Sequence, residues 1–330
     1  MTRARFTKLL ALQEGTVITA FILLVVIFAI IAPGFLTGGN INNLLVNSMF
    51  VLLVATGMTF VLITGGIDLS VGSVMGLGGA ITGYLLIHGV PVGVALAAGL
   101  AAGAVVGLVN GLLIARLGLA DFIVTLAMLS LVRGIVELMT AGSPLRGFAS
   151  PTFNALAAGT VGPIPLPLII AAVVVALAAF VLRSTVFGRS LFALGINRQA
   201  AHLSGIDMGA KRVQAYIVSG VLAAAAGIFL SSYLSAVQPE QGSGYELTAI
   251  AAAVIGGTSL AGGKGTIWGT VIGALMLGTL QNGLVLAGLN SFWFTIVTGI
   301  FIVAAVVLDR VLRLILSART GRAAGSAGAA

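Results

Sequence analysis

The chain has 330 residues, of which 59% are hydrophobic and only 7% are charged, and its mean hydropathy is +1.19. A water-soluble domain carries about 25% charged residues, so this chain cannot cover its apolar atoms in water and is predicted to lie in a lipid bilayer. The net charge of +8 does not indicate nucleic-acid binding, because the basic residues are scattered between apolar segments, and the lack of cysteine excludes disulfides and thiolate metal sites.

Ten apolar stretches predict membrane-spanning helices, since a span needs about 20 residues to cross about 30 Å of hydrocarbon. The amino terminus resembles the charged start of a signal peptide, but its apolar run, 16–32, is longer than most signal cores and no cleavage site follows. The first apolar run is therefore predicted to be a retained span, and the ten spans together predict an all-α fold, a polytopic bundle of transmembrane helices. The predicted spans are 16–33, 42–64, 70–88, 91–115, 121–141, 165–183, 213–235, 245–259, 266–288 and 291–309, the eighth being short enough to be re-entrant.

The basic residues predict the orientation. With a cytoplasmic amino terminus, the cytoplasmic segments hold nearly all of the lysines and arginines, and the external segments hold only Arg146. This predicts a cytoplasmic segment 1–15, a transmembrane domain 16–309 and a cytoplasmic tail 310–330 whose low complexity is typical of disorder. The stretch 143–163 is predicted to be an external segment.

Glycines recur every four residues along two predicted spans, a pattern typical of helices that pack backbone to backbone. The stripes are Gly99, Gly103, Gly107 and Gly111 in the fourth span, and Gly265, Gly269 and Gly273 in the ninth. Residues 64–81 also align loosely with residues 255–272, which suggests an internal repeat of the kind common in transporters.

Arg133 and Glu137 lie inside the fifth span, four residues apart on one helix face, so they can form an intramembrane ion pair. Two roles stay open for them, a structural ion pair or a part of the substrate path. The other acidic residues fall mostly at predicted membrane boundaries, where a charge costs little. No unpaired carboxylate is evident inside a span, which counts against a proton-coupled carrier.

The chain is not predicted to be an enzyme. The glycine-rich segment 256–266, GGTSLAGGKGT, lacks the G-x-x-x-x-G-K-[ST] phosphate loop, because Thr258 replaces its first glycine and Gly265 follows Lys264. A G-x-S-x-G nucleophile elbow is missing too, and an intramembrane enzyme would need paired catalytic groups that the sequence does not show. Any ATP must be hydrolysed by another subunit, and no cofactor or metal is expected in this chain.

A cytoplasmic segment, 188–212, is long enough for one or two short helices between the sixth and seventh spans. Its small residues Ala200 and Ala201 allow a partner to approach closely, and residues 204–207, SGID, form a predicted turn. An ordinary basic loop at the lipid headgroups remains the alternative for this segment.

Three ordered blocks of sequence carry a family resemblance: ITGGIDLSVGSVMGLGG (63–79), LGINRQAAHLSGIDMGAKRVQAYIVSGVLAAAAGI (194–228) and QPEQGSGYELTAIAAAVIGGTSLAGGKGTIWGTVIGALMLGTLQNGL (238–284). The chain resembles the permease subunits of bacterial ribose-type sugar ABC importers, a group that also handles xylose, galactose and autoinducer-2. The resemblance implies a multi-pass protein of the bacterial inner membrane, working as a dimer of permease chains. It also implies cytoplasmic ATPase subunits, which bind ATP and magnesium, and an extracytoplasmic sugar-binding protein.

The resemblance further implies that residues 195–208 couple the permease to its ATPase. The residues expected against the ATPase are Asn197, Ala200, Ala201, Ser204 and Gly205. Polar residues in apolar spans are candidates for the sugar pathway, namely Asn47, Asn110, Thr125 and Asn282. The alternative function is a self-sufficient secondary transporter or channel.

Overall fold

The computed structural model describes residues 3–148, 150–290, 292–304 and 307. The predicted cytoplasmic tail, 310–330, and the end of the tenth predicted span lie outside these residues. The described chain is almost wholly helical, as predicted, with one two-stranded hairpin.

Thirteen helices occur in the part of the chain that the structure describes. They are α1 Arg3–Ile31, α2 Gly38–Ile63, α3 Val71–Ile87, α4 Val92–Ala115, α5 Asp121–Thr140, α6 Pro151–Ala158, α7 Leu166–Ser184, α8 Val186–Ile196, α9 Arg198–Leu203, α10 Met208–Leu234, α11 Tyr245–Ile255, α12 Ile267–Leu286 and α13 Phe292–Ala304. Strands β1 Thr160–Val161 and β2 Ile164–Pro165 form the hairpin.

Six helices are long and apolar enough to cross a membrane: α2, α4, α5, α7, α10 and α12. The other four predicted spans coincide with shorter apolar helices, at Val17–Ile31, α3, α11 and α13. Helix α11 has 11 residues, and at 1.5 Å per residue it is about 16 Å long, roughly half of the hydrocarbon thickness. The membrane bundle is thus established, and ten crossings stay a prediction.

Helix α10 lies at the centre of the bundle, packed on α2, α3 and α4. The predicted stripe on α4 lies at this contact. A Cβ on Gly103 would overlap the Gly220 carbonyl, and one on Gly107 would overlap the Tyr216 carbonyl. The stripe therefore brings α4 and α10 together backbone to backbone, as the spacing predicted.

The second predicted stripe brings α12 against α11, where Gly269 and Gly273 lie on the Gly256 and Ala252 carbonyls. Gly265, which the sequence placed on the same helix face, precedes α12 and lies in a loop with φ +157°. That part of the prediction is wrong, because Thr266 caps the helix through its hydroxyl, which accepts a hydrogen bond from the Gly269 amide at 3.0 Å.

The predicted external segment contains structure that the sequence analysis did not foresee. Ser150 caps α6 by accepting a hydrogen bond from the Phe153 amide at 3.1 Å, and Pro151 occupies the first helical position. The following hairpin leads directly into α7. Serine before proline was the local signal for this helix.

Candidate functional site

The segment from Ile196 to Gly205 forms an exposed surface at one end of the bundle, which we call the docking surface. Asn197 begins α9, since its side-chain oxygen accepts a hydrogen bond from the Ala200 amide at 3.0 Å. Two large apolar side chains point outward here, Ile196 at 72% exposure and Leu203 at 81%. Apolar side chains grouped at such a rim are typical of a surface that meets another protein.

Of the five predicted coupling residues, four are exposed on the docking surface: Asn197, Ala200, Ser204 and Gly205. Ala201 is only 3% exposed and packs against its own chain, so its place is to seat α9 on the bundle. The predicted turn after α9 is present, with Gly205 at φ +76° and the Asp207 side chain capping α10. The prediction of one or two short helices in this segment is confirmed by α8 and α9.

The docking surface is anchored through Gly195, the residue before it. A Cβ on Gly195 would overlap both the Ile63 carbonyl oxygen and the Gly263 amide nitrogen. These two groups are joined by a hydrogen bond of 2.9 Å from the Gly263 amide to the Ile63 carbonyl. The end of α8 therefore rests on the end of α2, which leads into the glycine-rich loop 64–70, and on the glycine-rich loop 256–266.

The loop 64–70 carries a buried carboxylate, Asp68, which is 1% exposed. One of its oxygens accepts hydrogen bonds from the Ser70 hydroxyl at 2.6 Å and the Ser70 amide at 3.1 Å. The other accepts from the Ser219 hydroxyl on α10 at 2.9 Å. Burial raises the pKa of the Asp68 carboxyl above the ordinary value of an aspartate, and these hydrogen bonds offset only part of that rise.

A second polar group connects the same loop to α5 and α10. Asp121, at the start of α5, forms a salt bridge with Arg212 at 2.7 Å. The Tyr216 hydroxyl lies 3.2 Å from both the Asp121 carboxylate and the Ile67 carbonyl. A Cβ on Gly66 would lie 2.8 Å from the Asp121 carboxylate and the Tyr216 hydroxyl. The loop 64–70 is therefore in direct contact with both α5 and α10, so a movement of the loop would displace these two helices.

In the second half of α5, Arg133 binds the backbone of the loop after α10. Its Nη1 donates to the Gln241 carbonyl at 2.8 Å and to the Pro239 carbonyl at 3.0 Å. The one salt bridge among the described residues is that of Arg212 with Asp121, and the structure places Glu137 instead on an exposed face of α5. The ion pair of Arg133 with Glu137 stays a prediction.

The exposed face of α5 forms an open groove of about 760 Å³. Ser130, Gly134 and Glu137 contribute to its lining between apolar side chains. An ionisable side chain in a membrane helix faces protein or a water-filled space rather than lipid. The groove is therefore a place where another chain or a polar substrate would meet α5.

The four predicted pathway residues do not lie together. Asn110 and Thr125 are buried beside the loop 64–70, where Thr125 donates to the Ile67 carbonyl at 3.4 Å. Asn47 is exposed and donates to the Asn43 carbonyl of its own helix at 2.8 Å. Asn282 exchanges two hydrogen bonds with Asn40, at 2.8 and 2.9 Å, and joins α12 to α2. Their role in a pathway stays a prediction.

Sequence reasoning missed Asp68, Ser219 and Tyr216. It placed Asp68 at a membrane boundary, where a charge is cheap, and found no buried carboxylate without a cationic partner. That expectation is wrong for Asp68, because the loop 64–70 folds back into the bundle rather than meeting water. The available signal was a glycine pair followed by aspartate and serine, a combination that favours tight polar turns over a helix end.

Comparison with known proteins gives the relatives of the chain. The protein family described as "Branched-chain amino acid transport system / permease component" matches residues 40–306. The ribose import permease protein RbsC of Bacillus subtilis strain 168 is 45% identical over 289 residues, which cover 87% of this chain and 90% of the relative. No solved structure matches the chain.

Two further relatives come from Escherichia coli strain K12. Its ribose import permease protein RbsC is 42% identical over 310 residues, covering 93% of this chain and 96% of the relative. Its D-allose transport system permease protein AlsC is 39% identical over 298 residues, covering 89% and 91%. The family match over residues 40–306 contains the docking surface, both glycine-rich loops and every group described above.

Proposed function

The chain belongs to the family of branched-chain amino acid transport system permease components, and from that premise we propose that it is the membrane subunit of an ATP-binding-cassette importer for a monosaccharide. The observation that carries the proposal is similarity over nearly the whole length to ribose and allose permeases. The candidate substrates are accordingly a pentose or a hexose. In this proposal the chain lies in the bacterial cytoplasmic membrane, crosses it about ten times and has both termini inside the cell.

The energy comes from separate ATPase subunits, which bind ATP and magnesium. The docking surface supports this assignment, since it combines short helices with exposed Ile196 and Leu203. An extracytoplasmic sugar-binding protein delivers the substrate from the opposite side. Both partners are inferred from the family. The exposed side chains of Ile196 and Leu203 would form the contact with the ATPase subunits.

Coupling runs from the docking surface through Gly195 to the loop 64–70. Because the Gly195 backbone lies directly on the Ile63 carbonyl and the Gly263 amide, a shift of α8 displaces the loop 256–266 and the end of α2, which leads into the loop 64–70. The loop 64–70 then moves the ends of α5 and α10 through Asp121 and Tyr216. A bundle with two discrete arrangements converts such a shift into opening on one side or the other.

A second permease chain is proposed to face the groove on α5. Ser130 and Glu137 line this groove and offer hydrogen bonds to the hydroxyl groups of a sugar. Two copies of such a face would enclose a weakly polar path along the dimer axis. A mildly polar path suits a delivered sugar, because tight binding inside the permease would slow its release.

Uptake of a panel of labelled sugars by cells tests the proposal. Deletion of this chain is expected to abolish the import of one pentose or hexose, and the chain is expected to restore import only when its ATPase subunits are also produced. Unchanged uptake of every sugar in the deletion strain would contradict it. Restoration by this chain alone would favour the alternative, a self-sufficient secondary transporter.

A further inference from the structure

Two exposed cationic side chains at the docking surface have no acidic partner in the described part of the chain. They are Arg198, the first residue of α9, and Lys264, in the loop 256–266. The one salt bridge that the described residues form is that of Arg212 with Asp121. The charges of these two side chains are therefore open to a group outside this chain.

Both cations lie beside the anchor of the docking surface. A Cβ on Gly65 would lie 3.8 Å from Nη2 of Arg198, so the guanidinium lies over the glycine-rich loop that follows α2. Lys264 follows Gly263, and a Cβ on Gly263 would lie 2.8 Å from Cγ1 of Ile196. The two cations and the exposed apolar side chain of Ile196 therefore belong to one surface.

The acidic side chains near this surface are already engaged. Asp68 accepts hydrogen bonds from two serines, and Asp121 is paired with Arg212. Asp207 caps α10 by accepting a hydrogen bond from the Ala210 amide at 2.9 Å. A carboxylate that pairs with the two exposed cations therefore comes from another molecule.

We propose that Arg198 and Lys264 form a cationic clamp that binds an acidic side chain of the ATPase subunit. This inference rests on the proposed function, which supplies the ATPase, and adds the chemistry of the surface that meets this chain. Protein interfaces commonly have an apolar centre and a polar rim, and complementary charges at the rim orient the partners. Because Arg198 lies over the loop 64–70, a carboxylate bound there gives the ATPase a contact with this loop that does not pass through Gly195.

Anionic lipid headgroups are another source of negative charge, and the position of Arg198 disfavours them. Its guanidinium lies beside the loop that follows α2, and every residue of α2 from Leu53 to Ile63 is buried. Lipids surround the outside of a helical bundle, so the end of a buried helix is reached from the aqueous side. A protein partner below the bundle has access to this position.

Binding kinetics of the purified ATPase subunits on the full-length chain, held in nanodiscs of uncharged lipid, test the clamp. Arg198→Glu and Lys264→Glu are each expected to slow association about tenfold at low salt and to weaken its dependence on ionic strength, because complementary charges act mainly on the rate of encounter. Arg183→Glu is the matched control, since Arg183 is an exposed arginine at the end of α7, outside the docking surface. It should associate at the rate of the unmodified chain.

Carbodiimide cross-linking of the assembled complex gives a second readout, because this reagent joins an amine only to a carboxylate in direct contact with it. Mass spectrometry is expected to find Lys264 joined to an aspartate or glutamate of the ATPase. Lys264→Arg should lose this link and keep the association rate, since the charge remains. Arg198→Lys should add a second link.

Association of Arg198→Glu and Lys264→Glu at the rate of Arg183→Glu would overturn the clamp, and so would the absence of any link from Lys264 to the ATPase. Effects that appear only when anionic lipid is added would assign the two cations to lipid headgroups instead. Each of these results leaves the proposed function standing as long as the ATPase binds the unmodified chain. No binding of the ATPase at all would contradict both.

Discussion

The Arg212 guanidinium on α10 lies on the Asp121 carboxylate at the start of α5, with Nη2 2.7 Å from Oδ2 and 2.9 Å from Oδ1. The side chains are 13% and 20% exposed, so water screens this pair only in part. It fixes the distance between two helices beside the docking surface. A change in the arrangement of these helices must therefore either carry the pair along or break it.

A double-mutant cycle measures the contribution of this pair. Arg212→Gln and Asp121→Asn are each expected to lower the stability of the chain by about 1–3 kcal/mol, since each leaves a partly buried charge without its partner. The double variant should lose less than the sum of the two. Additive losses in thermal unfolding would show that the two residues do not interact.

Gly195→Ala tests the anchor of the docking surface. A Cβ at this position overlaps the Ile63 and Gly263 backbones, and overpacking of this kind costs about 1–3 kcal/mol. We expect lower thermal stability and a loss of ATP-driven uptake. Gly93→Ala is the matched control, because a Cβ there meets no atom within 4 Å, and normal behaviour of both variants would disprove the close contact.

Substitutions at Gly205 distinguish an effect on the contact with the ATPase from an effect on folding. Gly205→Trp places a bulky side chain on an exposed turn with open space around it and should uncouple ATP hydrolysis from sugar uptake. The left-handed backbone at φ +76° adds a strain of about 1–2 kcal/mol for most residues. Gly205→Asn is the control, because asparagine tolerates this conformation.

Transport assays in membranes with matched expression distinguish the two Gly205 variants. Gly205→Asn is expected to keep most of the uptake, whereas Gly205→Trp is expected to lose it while the chain still reaches the membrane. Equal uptake by both variants would remove residues 204–205 from the contact with the ATPase.

Asn282 is expected to stabilise the bundle through its paired hydrogen bonds with Asn40. Asn282→Ala removes both bonds and leaves the part-buried Asn40 amide oxygen without a donor, while the Asn40 amide nitrogen keeps its bond to the Phe35 carbonyl. We expect a cost of about 1–3 kcal/mol and a lower unfolding temperature. The concentration of sugar at half-maximal uptake should stay the same if the pair is structural. A large rise in that concentration, at unchanged stability, would instead support a place for Asn282 on the sugar pathway.

All ten predicted spans coincide with apolar helices, because a helix that crosses a membrane needs a long, continuous run of apolar residues. The glycine stripe on α4 was equally readable, since close backbone approach needs glycine at every fourth position. The burial of Asp68 could not be predicted from the sequence. Whether a short loop meets water or folds back into the bundle depends on Ser219 and Asn110, which are distant in sequence and come near only in the folded chain.

The docking surface likewise has features that the sequence predicted and features that it did not. The sequence predicted the short helices and the turn at Gly205 from small residues and turn chemistry. It did not predict that Ala201 is buried and Ala200 exposed, because the packing of α9 on the rest of the chain decides which side of this short helix faces the bundle. The anchor at Gly195 is formed by the end of α2 and the loop 256–266, so it could not be predicted from residues 188–212 alone.

Sugar uptake into liposomes that contain the purified chain tests the central claim most directly. Uptake should appear only when the ATPase subunits, the sugar-binding protein and ATP are all supplied with the permease, and it should stop when any one is left out. Sugar accumulation by the chain alone, driven by an ion gradient, would contradict the claim.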